Sequence, residues 1–212
     1  MRLLLSCTLL CCAALTAQEA RLDETALAGD GRGPLAACAE RIEALKPKDA
    51  KFLAEAGRFQ LLAGNTRKGE DLIHFAEMAD PKDREVMRLV GLAYLKAGRR
   101  KEALEAYDKV LTRDGGPRKA IAWAGIDLAE AGMGKEADRL MEAYGLLEQN
   151  DWESFVAFGR GHLKGNSRRN AAPWFKKAIL MKTQEEKVYM GIGQAYAEYS
   201  RPGALAAPRK GR

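Results

Sequence analysis

The stretch REVMRLVGLAYLKAGRRKEALEAYDKVLTRDGGP, residues 84–117, holds the punctuation that decides the fold. Gly91 lies in its first half and Gly98 seven residues later. Glycine just after a helix takes the left-handed conformation that closes the last turn, so one helix is expected to end near Gly98. Beyond it Ala103, Tyr107 and Val110, spaced by four and then three, describe one face of a second helix.

Working outward, the same marks return at a fixed interval. Glycine recurs at Gly57, Gly91, Gly125, Gly159 and Gly193, each 34 residues after the last. With glycine at about a tenth of positions, four further matches have a chance probability on the order of 10⁻⁴. The second glycine series runs Gly64, Gly98 and Gly132 and then slips to Gly165-Asn166. Leu35, Gly69, Ala103, Ala137 and Ala171 share one place in the period; Ala39, Ile73, Tyr107, Met141 and Phe175 share the next. Ile42, Ala76, Val110, Tyr144 and Ala178 follow three residues on. Pro47 and Pro81 close the first two units at the same offset, and Gly115 takes that place in the third. Helix pairs are expected over 18–28 with 33–45, 48–63 with 66–79, 82–97 with 100–113, 117–131 with 134–147 and 151–164 with 169–181. A closing helix is expected over 184–198.

Composition agrees. The 212 residues are 47% hydrophobic, mainly Ala and Leu, and 30% charged, with few β-branched residues. Such a chain favours helix and an all-α fold.

The repeated residues resemble the tetratricopeptide repeat, a 34-residue helix–turn–helix unit. Residues 84–117 match best, with Gly91, Tyr94, Gly98, Ala103 and Tyr107 at the family's signature places and Met87 where Trp is preferred. Gly69 departs by replacing the small Ala, Gln60 and His162 by replacing an aromatic, and Asp23 by standing where glycine is expected. The resemblance covers about five and a half units, near 18–49, 50–83, 84–117, 118–151 and 152–185, with a closing helix at 186–199. It implies a right-handed superhelical solenoid of antiparallel helix pairs with a concave surface. One unit cannot bury its own face, and stacking neighbours does it jointly. The closing helix is expected to cover the open end of the stack.

The two ends differ from this domain. Met1-Arg2, the apolar run from Leu3 to Leu15 and Leu15-Thr16-Ala17 read as a signal peptide over 1–17, so the protein is expected to be exported, to a periplasm or outside the cell. That run is too short for a transmembrane anchor. A lipid anchor at Cys7 is not expected, because the hydrophobic stretch before it is too short. Cys7, Cys11 and Cys12 would leave with the signal, so Cys38 has no intramolecular partner; pairing between chains stays open. Residues 200–212, with two prolines, two glycines and four cations, read as a basic disordered tail. The net charge of +6 owes much to that tail, and no basic stripe interleaved with aromatics invites nucleic acid.

The ingredients of an enzyme, a metal site or a cofactor site are not found. His74 and His162 read as a surface and a core residue, and with Cys38 they fit no metal or Cys–His spacing. Gly31-Arg32-Gly33 and Gly191-Ile192-Gly193 lack the strand and Lys-Ser/Thr of a phosphate loop. Glu185-Glu186 and Glu102 with Glu105 read as ordinary helix-surface carboxylates, and Trp152 and Trp174 as packing residues.

The resemblance places ligand-facing residues at the second, fifth, sixth, ninth, twelfth and thirteenth places of each first helix. Carried over, these are Arg58; Arg88, Leu92 and Lys96; Lys119, Trp123 and Ile126; Val156, Arg160 and Lys164; and Met190 and Gln194. The groove is expected to be apolar at its middle with a basic lining, suiting an acidic amphipathic protein or peptide segment. The lysine–asparagine carboxylate clamp of some family members is not reproduced. Ordinary surface, with ligands on the convex side or the ends, remains the alternative. The expected function is a non-catalytic adaptor that assembles an envelope or extracellular complex. A regulatory subunit of an enzyme or secretion machine, or a cell-wall polymer binder using Trp123 and Trp152, are the other readings.

Overall fold

In a computed structural model the described residues are 31–199, and these form ten α-helices and no strand. In chain order they are α1 (Arg32–Leu45), α2 (Ala50–Ala63), α3 (Thr66–Ala79), α4 (Arg84–Lys96), α5 (Arg100–Thr112), α6 (Lys119–Glu130), α7 (Gly134–Leu147), α8 (Trp152–Lys164), α9 (Arg168–Met181) and α10 (Glu186–Tyr199). The signal segment, the helix expected over 18–28 and the basic tail lie outside the described residues.

The helices begin and end for local reasons. Asp49 caps α2 by accepting from the Lys51 and Phe52 N–H groups, Asp83 caps α4 by accepting from the Glu85 N–H, and Asp151 caps α8 by accepting from the Ser154 N–H. The second glycine series does what its position predicts. Gly64, Gly98 and Gly132 have φ of 91°, 79° and 76°, and where the series slips, Asn166 takes the left-handed conformation at φ 65°.

Two helices joined by such a turn fold back as a hairpin: α2 with α3, α4 with α5, α6 with α7 and α8 with α9. The first helices α2, α4, α6, α8 and α10 also pack on one another in a row, while each second helix rests on its own first helix and touches the next unit's. This layout is a helical solenoid. The repeated glycine marks the hairpin's closest approach: a Cβ on Gly91 would stand 2.7 Å from the Tyr107 ring, and one on Gly57 3.0 Å from the Gly69 carbonyl oxygen. Tyr107, Tyr144, Phe155, Phe158, Ile73 and Met141 are fully buried between helices, and alanines fill the tight contacts. The loops also join, with Gly115 donating to the Lys82 carbonyl and Arg84 donating to that of Gly115.

The closing helix α10 packs on α8, burying Val188 and Ala195 and leaving Tyr189, Met190 and Tyr196 exposed.

Candidate functional site

The row of first helices presents one continuous surface, and the twelve predicted residues all lie on these helices. The charges there are largely spoken for. Arg58 donates to Glu55 at 2.6 and 2.8 Å and covers the Phe59 ring. Arg88 donates to both oxygens of Asp127, at 2.8 and 3.2 Å, and lies 5.7 Å from the centre of the Trp123 ring. Lys119 pairs with Asp151 at 3.5 Å and Lys164 with Glu130 at 3.2 Å. The basic lining is therefore mostly neutralised from within, and Arg88 is a joint between α4 and α6.

Asp127 is the residue that register reasoning missed. It is held at the seam between α4 and α6, with the Tyr107 hydroxyl 3.4 Å away. Burial pushes its carboxyl above the usual carboxylate range, and the Arg88 guanidinium draws part of that shift back. Burial likewise raises the Tyr107 phenol well above its ordinary value, helped by the neighbouring Asp127 charge.

Two further polar clusters lie behind the row. Asp151 accepts from the Tyr144 and Ser154 hydroxyls, both at 2.6 Å. Burial disfavours its charge, yet the hydrogen bonds from Ser154 and Tyr144 outweigh that and hold its carboxyl below the usual range. Asp138 accepts from the Trp174 indole at 2.8 Å and lies 3.1 Å from His162 Nε2, while the Phe158 ring meets both aromatic neighbours edge-on. His162 is fully buried and His74 is exposed on α3. Each cluster ties helices together. Among the described residues no group of three or more His, Cys, Asp or Glu is arranged to hold a metal ion, and no helix is long and apolar enough to cross a membrane.

The edges of the row show a pattern of sign. One place in the 34-residue register, near the start of each first helix, holds Lys51, Glu85, Lys119, Glu153 and Lys187; the place eleven residues on holds Leu62, Lys96, Glu130, Lys164 and Glu198. Lys51 bonds to Glu85 and Lys164 to Glu130, across one unit in each case.

Between these edges the middle of the surface is apolar. Trp123 and Ile126 on α6 are half-buried beside the core, and Leu92 on α4 is likewise half-buried. Towards α10 the surface deepens into a hollow of about 240 Å³, lined by Trp152, Glu153, Val156, Ala157, Arg160, Lys187, Met190, Gly191 and Gln194. Four predicted residues, Val156, Arg160, Met190 and Gln194, thus meet at one place. Arg160 and Lys187 are exposed and have no hydrogen-bond or ion-pair partner among the described residues. Lys96 is exposed at the far edge.

No family model matches the chain, and no curated protein does. Several solved structures align with it at low identity. The crystal structure of MamA protein aligns at 16% identity over 75% of this chain and 86% of that one, with a TM-score of 0.45. YrrB, described as a TPR protein with an unusual peptide-binding site, aligns at 19% identity over 73% and 80%, with a TM-score of 0.41. A second MamA structure aligns at 21% over 74% and 90%, with a TM-score of 0.39.

The hollow combines an apolar floor, where burial of a side chain is worth roughly 25 cal/mol per Å², with cations of the kind that orient a carboxylate.

Proposed function

We propose that the chain is an exported, tetratricopeptide-like adaptor that binds protein or peptide segments on the surface of its first helices. The observation that carries this reading is the hollow between α8 and α10. There Trp152, Val156 and Met190 supply an apolar floor, while Arg160 and Lys187 stand beside it without partners, whereas Arg58, Arg88, Lys119 and Lys164 are paired internally. A segment with an apolar side chain next to a carboxylate fits that combination, since burial supplies affinity and the cations set direction. The leader-like residues 1–17 support export, and an envelope or extracellular complex is the setting we propose for it.

The test is selection from a displayed peptide library on the purified protein. The unsubstituted protein should enrich peptides with Asp or Glu beside Leu, Ile or Phe, and Met190→Ala with Arg160→Glu should abolish that enrichment at an unchanged circular dichroism spectrum. Identical peptides recovered from both would end the groove reading. Arg88 is left intact in this test because it holds the fold.

A further inference from the structure

Two register places on the first helices, three residues apart and so on one face, decide the shape of the hollow. The first holds Glu55, Leu89, Trp123, Ala157 and Gly191; the second holds Arg58, Leu92, Ile126, Arg160 and Gln194. Large side chains cover this strip in the middle units, where Leu89, Trp123 and Ile126 pack beside the core. On α8 and α10 the side chain at the first place shrinks to a methyl group and then to hydrogen, and there the hollow opens. Its floor has no slack, since a Cβ added to Gly191 would stand 3.0 Å from Val156 Cγ1. An apolar cavity of about 150 Å³ admits a benzene ring, so a hollow of about 240 Å³ has room for an aromatic side chain.

The second place holds two arginines in opposite situations. Arg58 receives a carboxylate from its own helix, its Nε and Nη2 donating to Glu55 Oε2 at 2.8 and 2.6 Å. Arg160 has Ala157 three residues before it instead; it is exposed, with no hydrogen-bond or ion-pair partner among the described residues. Lys187, the other cation of the hollow, shares its register place with Glu153, which lines the hollow too, whereas Arg160 shares its place with neutral Gln194. The charge left uncompensated is therefore at Arg160. At the one place where Ala157 and Gly191 leave a gap, earlier units carry a carboxylate in Glu55 and a ring in Trp123.

We infer that the hollow is a receptor for a glutamate and an aromatic side chain carried close together on a partner protein. The glutamate binds Arg160 as Glu55 binds Arg58, and the ring rests over Gly191 against Met190. This inference rests on the peptide-binding reading above and narrows it: Ala157 and Gly191 set the size of what is accepted, and Arg160 sets its sign.

The test puts the missing groups back. Displayed random heptapeptides are selected on the full chain, and the enriched ones, synthesised with a fluorophore and an amidated C-terminus, are titrated by fluorescence anisotropy. They should pair Phe, Tyr or Trp with Glu. Ala157→Glu, which gives Arg160 the partner that Arg58 has, should weaken their binding roughly tenfold or more. Replacing the peptide's Glu by Gln should cost as much on the unsubstituted protein but under about twofold on Ala157→Glu, where the arginine is already taken. Gly191→Leu should exclude the aromatic peptides, and both variants should keep the circular dichroism spectrum. Enriched peptides without a ring, or peptides that bind Ala157→Glu and the unsubstituted protein alike, overturn this inference; if Met190→Ala with Arg160→Glu still abolishes them, the adaptor reading stands. No enrichment, or peptides indifferent to every variant, overturns both.

Discussion

Arg88 and Asp127 form a two-point clamp, 2.8 and 3.2 Å long, between the first helices of consecutive units. Both are largely shielded from water, at 19% and 13% side-chain exposure. Removing one partner strands the other in the seam. Asp127→Ala is expected to cost about 3 kcal/mol of stability, whereas Arg88→Met with Asp127→Leu, which leaves no charge behind, should cost well under the sum of the single changes. Urea unfolding followed by circular dichroism measures both; a loss under about 1 kcal/mol for Asp127→Ala would show the clamp to be dispensable.

The glycines predict a contrast that sequence position alone would not. Gly91→Ala drives a Cβ to 2.7 Å from the Tyr107 ring and should destabilise by about 1–3 kcal/mol. Gly193→Ala meets nothing and should stabilise α10 by about 0.5–1 kcal/mol through helix propensity. Gly98→Ala, at φ 79°, should cost about 1 kcal/mol from backbone strain. Parallel thermal melts would place the three in order, and equal effects at Gly91 and Gly193 would contradict the packing described.

Burial holds His162 below the usual imidazole value of 6.5, and the nearby Asp138 charge offsets only part of that. As pH falls through about 6.5 the unfolded chain takes up a proton that the folded chain still refuses. The unfolded state then binds more protons, so stability is complete above that value and declines below it. His162→Phe should flatten the decline. Chemical denaturation at a series of pH values between roughly 5 and 8 reads it directly, and an unchanged slope in the variant would place the pH sensitivity elsewhere.

The fold was legible because its signal is periodic. Glycine at fixed intervals and apolar residues at helical spacing carry geometry in their order, and the helices observed begin and end within about two residues of the positions those marks predict. The polar joints were not legible, because a lone aspartate in a chain with 30% charged residues looks like surface. The clue lay in comparing units: Asp127 stands where Ala93, Gly161 and Ala195 are buried, so a carboxylate there demands a partner. The hollow was half legible. Register found Val156, Arg160, Met190 and Gln194, which share a hollow, but gave equal weight to cations that the fold consumes, since pairing across units depends on side-chain reach.

The alternation of lysine and glutamate along the two edges gives the stack a parity. Neighbouring units carry opposite signs at these places, so excising a single unit such as residues 118–151 would set Glu85 in register with Glu153 and Lys96 with Lys164. Each such meeting is a small penalty, under about 1 kcal/mol at the surface, and both would fall at the one new junction. Removing two units together would keep opposite signs in register there. Although built from one motif, this solenoid is an ordered word rather than a string of interchangeable beads.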